Sequence, residues 1–127
     1  GIPLNDDDRA GWLDSLCDEL RRVDALGKRP VLTCSALKHS YREVLRSALP
    51  GLGFVFLELT PEVAAERVSH RPGHFMPATL IESQFATLES PKGEPLTLAL
   101  NASIHSVEEL ASQAHVWWQA HGLKQAV

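Results

Sequence analysis

Only two cysteines occur in 127 residues, Cys17 and Cys34. A disulfide framework is therefore not expected, and a reducing compartment suits the chain. No basic run is present and the formal net charge is −4. That argues against nucleic acid as the main partner, although local Arg and Lys could still hold a small anion. No apolar stretch approaches the ~18 residues that a membrane span needs. No signal peptide is visible, so a cytoplasmic location with no membrane partner is expected. Internal repeats and low-complexity segments are also missing. The chain lacks an initiating Met and an opening strand, starting instead Gly1-Ile2-Pro3-Leu4. That start is what a fragment or short isoform of something longer would show.

What remains is ordinary globular material, 44% hydrophobic and 22% charged. The length suits one domain. Asn5 or Asp6 reads as a helix N-cap, and Asp6, Asp7 and Asp8 complement the helix dipole. The three acids could instead hold magnesium, but capping is the commoner use of such a run. Trp12, Leu16, Leu20 and Val23 recur at helical spacing with Leu13 beside them, and Gly27 stops the helix, giving roughly Asp7–Leu26. Pro30–Ser35 reads as a buried strand from its Val-Leu-Thr-Cys run. Cys34 at its end could be a nucleophile, but no base stands beside it in sequence, and a packing role is expected.

Leu37–Leu49 reads as a second helix ended by Pro50-Gly51. A strand feeding a helix places the strand's carboxyl end at the crevice where α/β proteins bind ligands. Lys38 and Arg42, four apart, share a helical face there. They could hold an anionic substrate, Arg42 by its planar fork and Lys38 as a point charge. A solvated charge pair on a helix surface explains the spacing equally well. Gly53–Leu59 is a second buried strand. Thr60-Pro61 starts a helix, with Thr as cap and Pro at the first helical position. Pro72-Gly73 then breaks it among Arg67, His70, Arg71 and His74. A Gly-hinged cationic segment over about 67–77 fits a lid on an anion, and a charged surface turn is its plainer reading. His70 and His74 alone are weak evidence for a metal. Thr79–Leu88 is a further helix, Leu96–Leu100 a third strand, and Ser106 with Glu109 a capping box opening a final helix to about His121. Trp117 and Trp118 read as core or subunit contacts. Strands alternating with helices predict an α/β domain with a parallel sheet.

Four blocks carry a resemblance. They are Pro3-Leu4-Asn5-Asp6-Asp7-Asp8-Arg9 with Trp12-Leu13, then Cys34-Ser35-Ala36-Leu37-Lys38 with Tyr41-Arg42, then Arg71-Pro72-Gly73-His74-Phe75-Met76, and lastly Gln84-Phe85-Ala86-Thr87-Leu88-Glu89. In this order, over nearly the whole chain, they resemble the gluconokinase family, small P-loop kinases related to shikimate and nucleoside-monophosphate kinases. The resemblance implies a three-layer αβα fold with a parallel sheet. It implies transfer of the ATP γ-phosphoryl group to the 6-hydroxyl of D-gluconate, with magnesium, by a homodimer. By similarity, Lys38, Arg42 and His74 would face gluconate, with Asp6 and Arg9 of the opening helix beside them. Arg67 would lie on the adenine side and Arg71 would reach the phosphates. Lys38 and Arg71 would be the catalytic cations, and no side chain is assigned to a metal.

The chain departs from the family in one major respect. These kinases begin with a strand, a Gly-x-x-Gly-x-Gly-Lys-Ser-type loop, a helix and a second strand, so the 127 residues match the C-terminal portion. No Gly-Lys-Ser or Gly-Lys-Thr occurs anywhere in them, so the backbone cradle, phosphate Lys and magnesium hydroxyl are not among these residues. Gly11 stands where the family usually has Pro, and His39 where it often has a second Lys. The first strand of related kinases lies between those matching Pro30–Ser35 and Gly53–Leu59, so exposed edges and apolar faces are expected on both. Two other functions stay open: a non-catalytic isoform or remnant that binds a sugar acid or partner subunit, and a kinase for another polyol acid such as shikimate.

Overall fold

The computed structural model describes residues 6–70 and 78–121. The first helix, α1 (Asp6–Ala25), buries Leu13, Cys17 and Leu20 along one stripe. Its end is a Schellman motif. Gly27 takes φ +75, the Gly27 amide donates to the Asp24 carbonyl at 2.9 Å, and the Lys28 amide to the Val23 carbonyl at 3.3 Å. The left-handed turn satisfies carbonyls that the helix cannot satisfy itself. The second helix, α2 (His39–Ala48), presents Tyr41, Leu45 and Ala48 to that stripe. Trp12, Leu16, Ala36, Leu49, Leu52 and Phe54 close around the contact.

Between these helices the structure corrects the reading of the sequence. Residues 28–37 form no strand. Val31 is 93% exposed, and Leu32 and Cys34 are exposed too. An apolar β-branched run specifies a strand only when a neighbour completes its ladder. No described strand lies beside this one, so Cys34 is not a packing cysteine. Both cysteines are free thiols. Cys17 is the buried one, and burial pushes its thiol pKa up.

The strands that do form are β1 (Phe54–Glu58) and β2 (Thr97–Asn101), paired in parallel from Phe54↔Thr97 to Glu58↔Asn101. Parallel pairing needs a crossover. It is supplied by α3 (Pro61–Ser69) and α4 (Ala78–Thr87), which pack on each other. Thr60 caps α3 through its hydroxyl, which accepts the Val63 amide at 3.2 Å, and Pro61 sits in the first turn as expected. Entry to β2 is set by Leu96, at φ +48, whose carbonyl accepts the Phe54 amide at 2.8 Å. The last helix, α5 (Val107–Ala120), opens on the expected capping box. Its Glu109 amide donates to the Ser106 hydroxyl at 3.2 Å, and the Ser106 amide to the Glu109 carboxylate at 2.8 Å. This helix packs on β2.

Parallel sheets are normally covered on both faces. Here Val55 and Leu57 point off β1 at 45% and 51% exposure. The exposed apolar side chains expected on the second strand are present on β1, whereas at 30–35 the strand that was to carry such a face does not form.

Candidate acceptor site

The turn into α2 carries the candidate site. Lys38 is its N-cap, in extended backbone, and its carbonyl accepts the amides of Tyr41 at 3.0 Å and Arg42 at 3.2 Å. Lys38 offers no side-chain cap. The cap comes from far along the chain, where the Glu89 carboxylate accepts the His39 amide at 2.8 Å. The Glu89 amide in turn donates to the Leu37 carbonyl at 2.7 Å. The connection from α4 to β2 is thus strapped across the start of α2.

Tyr41 lies buried beneath this turn. The Arg9 guanidinium of α1 stands 5.6 Å from its ring centroid and donates to its hydroxyl at 3.2 Å. The Lys38 ammonium stands 5.8 Å from the same centroid. Each cation is within the range at which a ring quadrupole attracts positive charge. Two cations from different helices therefore converge on one ring, at the positive end of α2. Such a group can neutralise and orient an anion.

Arg42 takes a different part from the one its spacing suggests. Only 2% of it is exposed. Its fork closes on Glu94, with Nε 2.8 Å from Oε1 and Nη2 2.6 Å from Oε2. Nη1 donates to the Ala36 carbonyl and Nη2 to the Glu89 carbonyl, both at 2.8 Å. Glu94 also meets Arg46 Nη2 at 3.0 Å and His39 Nδ1 at 3.2 Å. The Arg42 guanidinium, with His39 and Arg46 beside it, holds the Glu94 pKa down at about 2. Arg46 completes the cluster by lying over the Phe54 ring at 4.5 Å and donating to Thr97 Oγ1 at 3.2 Å. The fork expected for an anionic ligand is occupied by the protein's own carboxylate, because a guanidinium this deep requires a counter-charge.

The comparisons agree with this architecture. No family model matches the chain. The Gluconobacter oxydans gluconokinase is 45% identical over 105 residues, covering 83% of this chain and 59% of that protein. The thermosensitive gluconokinase of Escherichia coli is 37% identical over 117 residues, covering 90% of this chain and 63% of that one. The crystal structure of a gluconokinase from Sinorhizobium meliloti superposes with a TM-score of 0.78 at 42% identity, over 98% of this chain and 71% of that one. The chain belongs to the gluconokinase family. A sugar kinase from Janibacter sp. superposes with a TM-score of 0.85 at 41% identity, over 94% of this chain and 68% of its own. The α/β P-loop-kinase class expected from the sequence is thus the fold class of the chain. The chain spans 59% and 63% of the length of the two curated gluconokinases it matches here.

Of the positions marked by the gluconokinase resemblance, Arg9, Lys38 and Arg42 come together around Tyr41 and the start of α2. Asp6 opens α1, and its side chain lies outside the described residues. Arg67 stands exposed in the last turn of α3, in regular helix rather than in a loop. Arg71 and His74, with the rest of the expected lid from 71 to 77, lie outside the described residues. Among the described residues no cluster of His, Cys, Asp or Glu could hold a metal ion. Glu89, Glu94 and a structural role for Tyr41 were not singled out from the sequence. Glu89 closes the last matching block, which was its only signal. Glu94 lies 52 residues from its partner Arg42, and no local pattern marks it.

Proposed function

We propose that the chain supplies the acceptor side of an ATP-dependent gluconokinase, which phosphorylates the 6-hydroxyl of D-gluconate. The observation that carries this reading is the convergence of Arg9 and Lys38 on the Tyr41 ring at the start of α2. Gluconate brings one carboxylate and a row of hydroxyls. A pair of cations at a helix N-terminus suits the carboxylate. Arg42 holds the turn that presents Lys38 and does not itself meet the ligand. Phosphoryl transfer is chiefly positioning and neutralisation of charge. In the family those tasks at the phosphates fall to a glycine-rich loop and magnesium. The residues present do not fit that group, since no Gly-Lys-Ser or Gly-Lys-Thr occurs, so the acceptor side is the part of the reaction assigned to this chain.

Titration of the isotopically labelled chain with D-gluconate, followed by NMR, tests the reading. Saturable shifts around Tyr41 are expected. Lys38→Ala should weaken binding roughly tenfold, the equivalent of ~1.4 kcal/mol. Shikimate should bind more weakly than gluconate. Unchanged affinity in Lys38→Ala would contradict the assignment, and tighter binding of shikimate would redirect it to another acceptor.

A further inference from the structure

The connection from α4 to β2 reaches the turn before α2 at several points, and its Glu94 closes the Arg42 fork that in turn holds the Ala36 carbonyl. We propose that Glu94 is a positioning residue of the acceptor site, setting the placement of Lys38 through Arg42 and the Ala36 carbonyl. The proposal rests on the reading that Lys38 meets the acceptor.

Residues 28–37 have no regular structure to hold them. The turn at 35–38 is fixed instead by individual contacts. The Leu37 amide donates to the Ser35 carbonyl at 2.9 Å, and the Leu37 carbonyl accepts the Glu89 amide. The Ala36 carbonyl accepts Arg42 Nη1. Of these, only the Arg42 contact depends on a side chain, and that side chain is aimed by Glu94. Arg42 donates through Nε to Oε1 and through Nη2 to Oε2, while Arg46 Nη2 stands 3.0 Å from Oε1 and His39 Nδ1 3.2 Å from Oε2. A carboxylate so engaged by the protein's own cations is assigned a positioning part rather than contact with the substrate. Its effect is exerted through the fork. A fork–fork pair fixes a guanidinium in plane as well as in distance. Two residues beyond Ala36 the chain reaches Lys38, whose ammonium must sit within ångströms of its anion.

An amide at position 94 would present one acceptor and one donor where the fork needs two acceptors. The Arg42 plane would then turn and release Ala36. The expected consequence of Glu94→Gln in the 127-residue chain is a roughly tenfold loss of D-gluconate affinity by NMR titration. A double-mutant cycle with Lys38→Ala separates positioning from general loosening. If Glu94 acts through Lys38, the double variant binds no worse than Lys38→Ala alone. Glu94→Asp keeps the charge on a shorter arm, should lose less affinity, and serves if Glu94→Gln does not fold. Wild-type affinity in the folded Glu94 variants, or losses that simply add to that of Lys38→Ala, would overturn the proposal. An unaffected Lys38→Ala would instead overturn the acceptor reading, and this proposal with it.

Discussion

Arg42 shows what spacing in a sequence can and cannot say. Four residues from Lys38, it shares that residue's helical face, but spacing does not tell which part of the face is covered. In the structure the neighbours of that face are Glu94, the Glu89 carbonyl and the Ala36 carbonyl, all distant or irregular in sequence. Arg42→Ala would leave Glu94 without its main counter-charge. Breaking a buried pair from one side typically costs ~3–5 kcal/mol, and urea unfolding should register a loss of that size. Arg42→Lys should recover only part of it, because an ammonium cannot reproduce the fork. Glu94 supplies a second expectation. Its carboxyl pKa falls from the ordinary 4.5 to about 2 in the folded chain. A depressed carboxylate contributes stability that is fully present above its unfolded pKa and is lost as pH falls through its folded one. Between about pH 4.5 and pH 2 the chain should therefore lose ~3 kcal/mol by this group alone. Glu94→Gln should start from lower stability at neutral pH and lose correspondingly less across that window. A parallel acid limb in the two proteins would contradict the role given to the pair.

At the scale of elements, helices were legible and one strand was not. A helix closes its own hydrogen bonds, so local signals decide it: the acids opening α1, the Gly27 stop, Thr60-Pro61, and the Ser106–Glu109 box all appear where the sequence places them. Helix bounds moved only by a residue or two at each end. A strand closes its bonds on a neighbour, and the apolar run at 30–35 carries no information about whether that neighbour is present. β1 and β2, similar in composition, do form, because they pair with each other. The contrast is measurable. Leu45→Ala removes a side chain from the α1–α2 contact and should cost ~2–5 kcal/mol. Val31→Ala, at a position of comparable hydrophobicity but almost fully exposed, should change stability by less than ~0.5 kcal/mol. Ser106→Ala deletes half of the capping box and should cost ~1 kcal/mol. A stability loss at Val31 comparable to that at Leu45 would mean that the 30–35 run is packed in solution.

At the scale of the whole molecule, the chain superposes on a gluconokinase over 98% of its own length and 71% of that protein's. Within this shared part lie Arg9 and Lys38, the cations proposed to meet the acceptor, and the framework that holds them. The family resemblance was legible from four short blocks. The order in which Glu94 governs Arg42, and Arg42 the turn, was not, because it is written in tertiary contacts alone. The division of labour between these residues and a phosphate loop can be measured as ATP-dependent formation of 6-phosphogluconate. Two proteins are compared, the 127-residue chain and the same chain joined behind a gluconokinase phosphate-loop segment. Loss of a single electrostatic donor commonly costs ~10²–10³ in rate, and the loop supplies several. The 127 residues should give no turnover above background, and the joined protein should give robust, gluconate-dependent turnover that Lys38→Ala suppresses. Turnover by the 127 residues alone, with host kinase excluded, or a joined protein that binds ATP but never phosphorylates gluconate, would contradict it.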